Sequence, residues 1–296
     1  MKSEHKDKSL QTLCGLFGYS RQAYYKKEKQ QIESSLNQEV VIGLIKDIRK
    51  RKPRCGTRKL YLELENDFKE LKLNIGRDKL FNLLRENNLL IRKRKNYTKT
   101  TNSHHWLKKY PNIAKDIVPQ RPNQLWVADI TYIRTNKGFT YLSLITDAYS
   151  RKIVGWDLSD SLSAENAVSA LNKALHVETI IGELVHHSDR GIQYCSNQYV
   201  NILNKNNVKI SMTQNSDPLE NAIAERVNGI LKDEWINDMK IDDLDDGIRK
   251  VRNVIEIYNT DRLHSSIDML TPVQAHQMVG ELKRHWKNYY SVIQKN

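Results

Sequence analysis

The sequence predicts an α/β fold with a mixed sheet, preceded by a small all-α region and followed by a helical tail. Three apolar runs are rich in β-branched and aromatic residues: LWVADITYI, FTYLSLITDAYS and KIVGWDLS. The turn-like segments TNKG and SRK separate them, which predicts an antiparallel meander of three strands. Amphipathic helical segments then alternate with the short apolar runs LVHHSD and KISMT. The order β-β-β-α-β-α-β-α is that of a ribonuclease-H-like fold, with helices on both faces of the sheet.

The region before the sheet is predicted to be helical. Two short helices are expected over residues 9–30, on either side of Gly18 and Tyr19, with Ser20 as the N-cap of the second. This pattern is typical of a helix-turn-helix, but a generic helical hairpin has the same pattern. Further helices are expected over 36–50, 57–70 and 77–88, and the last two form a second helix-turn-helix candidate.

Charge is unevenly distributed along the chain. The 296 residues include 48 Lys+Arg and 35 Asp+Glu, a net charge of +13. Residues 1–122 hold 29 of the basic and 13 of the acidic residues, and the remainder holds 19 and 22. A basic half joined to a near-neutral half predicts that the first half binds a polyanion such as DNA and that the second has another task. The basic residues predicted to contact DNA in the first half are Arg21, Arg54, Arg58, Arg92, Lys93, Arg94 and Lys95.

These patterns divide the chain into five predicted segments. The stretch around 91–112 is basic, lacks periodicity and contains Tyr97, Trp106 and Tyr110, so it is either a linker that tracks phosphates and stacks on bases or a plain flexible linker. The predicted segments are a helix-turn-helix-like segment over 1–34, a second helix-turn-helix region over 36–95, a basic linker over 96–120, a catalytic core over 121–240 and a helical extension over 241–296.

The composition also predicts a cellular location. The N-terminus lacks the apolar stretch of a secretory signal, and no run of about 18 apolar residues predicts a membrane span. Three cysteines lie far apart and form no CxxC pair, so free thiols in a reducing compartment are expected. We therefore expect a soluble cytoplasmic protein without a membrane partner.

Three acidic residues carry the predicted chemistry. Asp129 lies within the first strand, Asp189 ends LVHHSD, and Glu225 lies in the helical stretch NAIAERVNGILKDE, with 35 residues between the last two. A carboxylate inside a buried strand is costly unless it is paired or binds a cation. Taken singly, each has a commoner explanation as a turn or surface residue. Together they predict a site for two Mg²⁺ ions, with Mn²⁺ as a substitute, which is the equipment for phosphodiester chemistry.

Polar neighbours complete the predicted site. Helical spacing puts Asn221, Glu225, Asn228 and Lys232 on one face. Arg190 follows the second aspartate and is expected to line the same crevice. We expect Asn221, Lys232 and Arg190 to contact DNA, although Lys232 taken alone is equally typical of an ordinary surface charge. The two metals would activate the attacking oxygen, from water or a 3′-hydroxyl, and stabilise the leaving 3′ oxygen, so no protein nucleophile is needed.

Several strings resemble a known family. WVADITYI, YLSLITDAYSRKIVGW, HHSDRGIQY and ENAIAERVNGILKDE resemble the catalytic core of retroviral-integrase-like DDE transposases. More narrowly, the chain resembles the OrfB protein of bacterial two-frame insertion sequences, and YNTDRLHSSIDMLTPVQAH is similar to the C-terminal signature of that family. The resemblance covers nearly the whole chain. It implies an integrase catalytic core in which Asp129, Asp189 and Glu225 are the catalytic residues and Lys232 is the basic residue seven positions after the glutamate.

The resemblance also implies an activity and partners. Such a transposase nicks an element end to expose a 3′-hydroxyl and joins that hydroxyl to another strand by direct transesterification. It is expected to act on DNA at the nucleoid, as a homo-multimer on paired ends, with the upstream OrfA protein or as an OrfA fusion. Three departures from the family pattern are Ser216 in place of a common glycine, Glu220 in place of a common aspartate, and CGTRK around Cys55.

Two other functions remain compatible with the residues. A plain ribonuclease-H-type nuclease would explain the core but would not require the basic N-terminal region or the C-terminal tail. A DNA-binding regulator with an inactive core would retain the N-terminal region without chemistry. A metal requirement for DNA joining distinguishes the three.

Overall fold

The structure, a computed structural model, describes residues 9–92, 94, 106–214 and 221–285. It divides the chain into two compact units, Met1–Arg92 (unit 1) and Lys93–Asn296 (unit 2). Across the described ranges, no helix combines the length and the apolar character that a membrane span requires.

Unit 1 is entirely helical in its described part. Ser9 and Ser20 cap the first two helices, each accepting a hydrogen bond from a backbone N–H three residues later. Gly18 adopts a φ of 71°, a left-handed conformation that glycine tolerates and that turns the chain between them. The helices are α1 (Leu10–Leu16), α2 (Arg21–Arg51), α3 (Thr57–Glu63), α4 (Glu65–Glu70) and α5 (Arg77–Glu86).

The expectation of separate helices over 21–30 and 36–50 was wrong. Helix α2 runs without interruption from Arg21 to Arg51, so the predicted segment boundary after residue 34 falls inside a helix. The sequence between the two predicted helices, QIESS, contains neither glycine nor proline. Each of its two serines lowers helix propensity by only about 0.5 kcal/mol relative to alanine. This cost is too small to break a helix.

The C-terminal half of α2 packs into the core of unit 1. Val41 and Ile45 are fully buried against apolar residues of the following helices: Leu60, Leu64, Phe68, Leu80, Leu83 and Leu84. The guanidinium of Arg49 donates to the carbonyls of Leu89 (2.8 Å) and Cys55 (3.2 Å), which ties the end of α2 to the chain just before α3 and just after α5.

Unit 2 contains a five-stranded mixed sheet. The strand order is β3-β2-β1-β4-β5, with the first three strands antiparallel and with β1, β4 and β5 parallel. This arrangement confirms the predicted meander and the ribonuclease-H-like fold class. The strands are β1 (Leu125–Thr135), β2 (Gly138–Asp147), β3 (Ile153–Ser159), β4 (Val185–Ser188) and β5 (Lys209–Met212).

Helices cover both faces of the sheet. They are α6 (Ala164–Val177), α7 (Ile192–Cys195), α8 (Asn197–Lys205), α9 (Ala222–Glu234), α10 (Leu244–Thr260) and α11 (Pro272–Ala275). Trp126 and Ala128 share a core cluster with residues of α6 and α8. Ile133 packs with α9 and α10, and Val127 packs with Ala224 of α9. Because side chains alternate along a strand, the odd-numbered residues of β1, including Asp129, lie on the face covered by α9.

The C-terminal tail docks on the core through buried polar groups. Thr271 and Gln274 form a capping box at the N-terminus of α11, with Pro272 at its first position. Just beyond α11, the imidazole of His276 contacts Glu178 at 2.8 Å through Nε2 and Ser150 at 2.8 Å through Nδ1. The tail is thereby attached to the end of β2 and to the chain after α6.

Candidate active site

Strand register brings the two aspartates together. Strands β1 and β4 are parallel neighbours, and Val127 lies beside His187. Continuing that register by two residues places Asp129 beside Asp189, which immediately follows β4. Adjacent strands are about 4.8 Å apart and both residues have the parity that faces α9. The two carboxylates therefore meet at the carboxyl end of the parallel strands, where open α/β sheets form their ligand sites.

Hydrogen bonds orient both carboxylates. Asp129 Oδ1 accepts from the backbone N–H of Ile130 (2.9 Å), and Oδ2 accepts from the side-chain amide of Asn228 (2.7 Å). Asp189 Oδ1 accepts from the backbone N–H of Gly191 (2.9 Å). A Cβ added to Gly191 would lie 2.9 Å from that same oxygen. Without a Cβ, Gly191 leaves room for the carboxylate of Asp189 in this position.

Helix α9 supplies the third carboxylate. Its apolar residues Ala224, Val227, Ile230 and Leu231 are buried. Glu225 is exposed in the first turn of the helix, and Asn228 is only 5% exposed one turn later. The polar side of α9 therefore runs from the surface into the site, with Glu225 at its outer end.

Asn221 has an internal role in place of the expected contact with DNA. Its side chain is 7% exposed and its amide donates to the carbonyl of Ala128 at 3.0 Å. This contact attaches the start of α9 to β1, one residue before Asp129. Helical periodicity put Asn221 on the correct face but could not reveal that the face turns inward at this point.

The electrostatics of Asp129 reflect a crowded group of acids. The pKa of Asp129 is raised to about 7, mainly by burial and then by the negative charge of Asp189, with a smaller effect of Glu225, while the hydrogen bonds from Asn228 and Ile130 oppose the rise. Partial burial also raises the pKa of Glu225. All three predicted acids are therefore close enough for their charges to interact, and a bound cation would relieve the repulsion.

Lys232 also faces this group. Burial lowers the pKa of its ammonium, and the nearby charge of Asp129 opposes that effect. Lys232 lies two turns beyond Glu225 on α9, which is the direction predicted from helical spacing.

The residues fit a hard divalent cation in donor type and charge. Carboxylate oxygens are the ligands that Mg²⁺ prefers. Among the described residues, two buried oxygens beside the acids have no hydrogen-bond partner, Asn221 Oδ1 and Asn228 Oδ1. Within the described ranges, no three Asp, Glu, His or Cys side chains are close enough together to form a metal cage, and residues 215–220 before α9 are outside those ranges.

The other residues predicted to contact DNA differ in their exposure and in their partners. Arg21, Arg58 and Arg92 are exposed in unit 1. Arg54 donates to the carbonyl of Arg92 at 2.5 Å. Arg94 forms an ion pair with Asp238 at 2.5 Å, a contact that local sequence could not predict because the partner is far along the chain. Arg190 is half-buried next to the second aspartate. Lys93 and Lys95 lie outside the described residues.

Comparisons with known proteins identify the family. Two family models, both described as integrase core domain, match residues 119–218 and 206–272. An insertion element IS600 protein of 31 kDa from Shigella sonnei, described as uncharacterized, is 34% identical over 280 residues, which are 90% of this chain and all of that protein. The chain belongs to the OrfB-type transposases of bacterial insertion sequences.

A transposase and a solved integrase domain are also similar to this chain. The transposase InsF for insertion sequence IS3A of Escherichia coli K12 is 36% identical over 163 residues, 55% of this transposase and 57% of InsF. The catalytic core domain of HTLV-2 integrase, solved in complex with magnesium, matches with a TM-score of 0.45 and 19% identity over 54% of this chain and all of that domain. This chain is thus a DNA transposase, a polynucleotidyl transferase with an integrase-like core.

Sequence reasoning missed two features of this transposase. Asn228 was placed on the face of Glu225, but its hydrogen bond to Asp129 was not anticipated. Gly191 was not singled out, although its lack of a Cβ makes room for Asp189. The signal for Gly191 was present, since a glycine two residues after a strand-end carboxylate is typical of a tight turn around that group.

Proposed function

We propose that Asp129, Asp189 and Glu225 are the catalytic carboxylates of this transposase and that they bind two Mg²⁺ ions, for which Mn²⁺ can substitute. The observation that supports this most is the half-buried carboxylate of Asp129, whose pKa is raised to about 7 by desolvation and by the two other acids. Such a cluster of like charges is unfavourable by itself and becomes favourable around a cation. When bound, the cations supply activation of the attacking oxygen and stabilisation of the leaving 3′ oxygen.

The protein groups around the acids have separate tasks in this proposal. Asn228 orients Asp129 through its amide. Lys232, desolvated and close to Asp129, binds a phosphate oxygen of the DNA strand that enters the site. Arg190, next to Asp189, binds the same strand on the other side. These contacts hold the phosphodiester in place for 3′-end nicking and strand transfer, in which positioning provides much of the rate.

We assign recognition of the element ends to unit 1 and the basic linker. The exposed Arg58 and Arg92 supply positive charge for phosphate contacts. Two element ends must be processed in one transposition event, so we propose a homo-multimer on paired ends, with the upstream OrfA protein or an OrfA fusion as a partner. Its place of action is the nucleoid in the cytoplasm, where the DNA is.

A joining assay tests the catalytic assignment. A labelled oligonucleotide carrying the end of the element, with a free 3′-hydroxyl, is incubated with plasmid and protein, with Mg²⁺, with Mn²⁺ or with EDTA. The variants are Asp189→Asn and Glu225→Gln. The matched controls, Asp160→Asn and Glu256→Gln, change exposed acids outside the site.

We expect joined product from the wild type and from both controls only when metal is present. The joining rate of Asp189→Asn and of Glu225→Gln should be at least about 1000-fold lower than that of the wild type, as expected for essential catalytic groups. Both variants should still bind the oligonucleotide. Full joining by Asp189→Asn would refute the site. Metal-dependent cleavage without joining would favour the nuclease, and binding without cleavage or joining would favour the inactive regulator.

A further inference from the structure

The N-terminal half of helix α2 is largely exposed to solvent, although α1 contacts this helix. From Arg21 to Val40 every described side chain is exposed, apart from the half-buried Tyr24. Core packing in unit 1 begins only at Val41. Most of the stability of a helix in a protein comes from the packing of one face, so this half of α2 gains most from a partner.

An apolar stripe runs along this exposed half. Tyr25, Ile32, Leu36 and Val40 are 49%, 57%, 56% and 45% exposed. At 100° per residue these four side chains fall within about 80° of one another, which is the width of a helix–helix contact. They span about four turns of one face, which we call the α2 stripe; Lys29 lies on this face between Tyr25 and Ile32, with its ammonium 4.0 Å from Glu33 Oε1.

The charges beside the α2 stripe are separated along the helix. Its first part carries Arg21, Lys26, Lys27 and Lys29 with one acid, Glu28. Residues 31–40 carry Glu33 and Glu39 and no basic residue. Nucleic acid would be repelled by the acidic part, and a parallel copy of the helix would align like charges. An antiparallel copy brings the basic part of each helix to the acidic part of the other.

We propose that the α2 stripe binds the α2 stripe of a second copy of this chain in antiparallel orientation. The two-fold axis passes near Gln30, so residues whose numbers add up to about 60 face each other. Arg21 of one copy is then opposite Glu39 of the other, and Glu33 is opposite the turn from Lys26 to Lys29. The same register inserts each Tyr25 between Ile32 and Leu36 of the other helix, in the manner of knobs into holes.

Cysteine cross-linking of the full chain tests both the contact and its direction. Lys29 lies on the stripe close to the axis, so Lys29→Cys should form a disulfide-linked dimer under mild oxidation. Val40 also lies on the stripe, but an antiparallel pair holds its two copies about 30 Å apart, so Val40→Cys should not. Lys27→Cys is the matched control near the axis on the opposite side of the helix. The wild type controls for the native cysteines, which are buried.

Charge exchange provides a second readout. Glu33→Lys combined with Glu39→Lys should weaken self-association at least about tenfold in sedimentation equilibrium, because like charges then face each other. Arg21→Glu combined with Lys26→Glu should have the same effect. A mixture of the two charge variants should regain association.

Three results would overturn the proposal. One is a failure of Lys29→Cys to cross-link above the level of Lys27→Cys. Another is cross-linking of both Lys29→Cys and Val40→Cys, which indicates a parallel pair. The third is a loss of DNA binding, without any change in self-association, when Ile32 and Leu36 are replaced by aspartate.

Discussion

The buried contact of His276 with the core predicts that this side chain stabilises unit 2 in a pH-dependent manner. His276 Nε2 contacts Glu178 and Nδ1 contacts Ser150, both at 2.8 Å, and the Ser150 hydroxyl donates to Asp147 at 2.7 Å. Burial disfavours the imidazolium, but the carboxylates of Asp147 and Glu178 outweigh burial and Lys152, and the pKa of His276 is raised above its usual 6.5. Both ring nitrogens can then donate, which completes the chain of hydrogen bonds.

The size of the effect follows from the contacts that His276→Ala removes. A hydrogen bond to a buried carboxylate contributes about 1.5–3 kcal/mol, and the one to Ser150 about 0.5–1.5 kcal/mol. We therefore expect a loss of about 2–4 kcal/mol in the free energy of unfolding. The loss stays below the cost of an unpaired buried charge, because Lys152 (2.6 Å) and Asn123 (3.0 Å) still donate to Glu178.

The pH dependence has a definite sign. Because the pKa of His276 is higher in the folded state than in the unfolded chain, the stabilisation by its charged form is complete below about pH 6.5 and is lost as pH rises through the folded-state pKa. Glu178 behaves oppositely: burial alone would raise its pKa, but hydrogen bonds from His276, Lys152 and Asn123 lower it to about 2. Its contribution is complete above about pH 4.5 and is lost as pH falls toward 2.

Urea denaturation followed by tryptophan fluorescence, at about pH 6 and about pH 9, measures the effect. The control is His176→Ala, which removes an exposed histidine at the end of α6. We expect the difference between His276→Ala and the wild type to be larger at pH 6, since the neutral ring can donate through only one nitrogen. A loss equal to that of the control, or one that grows with pH, would contradict the reasoning.

Two further predictions concern the core and the site. A Cβ added to Gly155 of β3 would overlap the carbonyl oxygen of Ala170 in α6. Thermal melting of Gly155→Ala should therefore show a loss of about 1–3 kcal/mol in stability. The control is Gly43→Ala, which should not be destabilised because nothing lies within 4 Å of the added Cβ. Asn228→Leu removes the amide that donates to Asp129. The joining rate should fall about 10–100-fold, and a higher Mn²⁺ concentration should be needed for the half-maximal rate. An unchanged metal dependence would exclude a positioning role for Asn228.

Local sequence patterns were sufficient to predict most secondary-structure elements of unit 2. Strand β1 alternates its apolar residues between the two faces, and Trp126 and Ala128 are buried on one side while Val127 and Ile133 are buried on the other. Such alternation identifies a strand covered on both faces. The cap of α11 could be read from Thr271 with Pro272, because capping depends on residues adjacent in sequence.

The same local rules were less reliable in unit 1. The break expected after residue 30 is absent because residues 31–35 contain neither glycine nor proline. Serine is compatible with both a helix interior and a helix end, so its presence near residue 34 did not decide between them. The continuity of α2 is what produces the exposed stripe from Tyr25 to Val40.

The sequence by itself determined the family, the fold class and the three acids as candidates, since these depend on motifs, periodicity and spacing along the chain. Only the tertiary structure decided that Asn228 holds Asp129, that Asn221 anchors α9 to β1, and that Arg94 pairs with Asp238. The physical reason is that these contacts join residues about 90 to 140 positions apart. Their existence depends on strand register and on how deeply a helix packs, and neither leaves a local pattern in sequence.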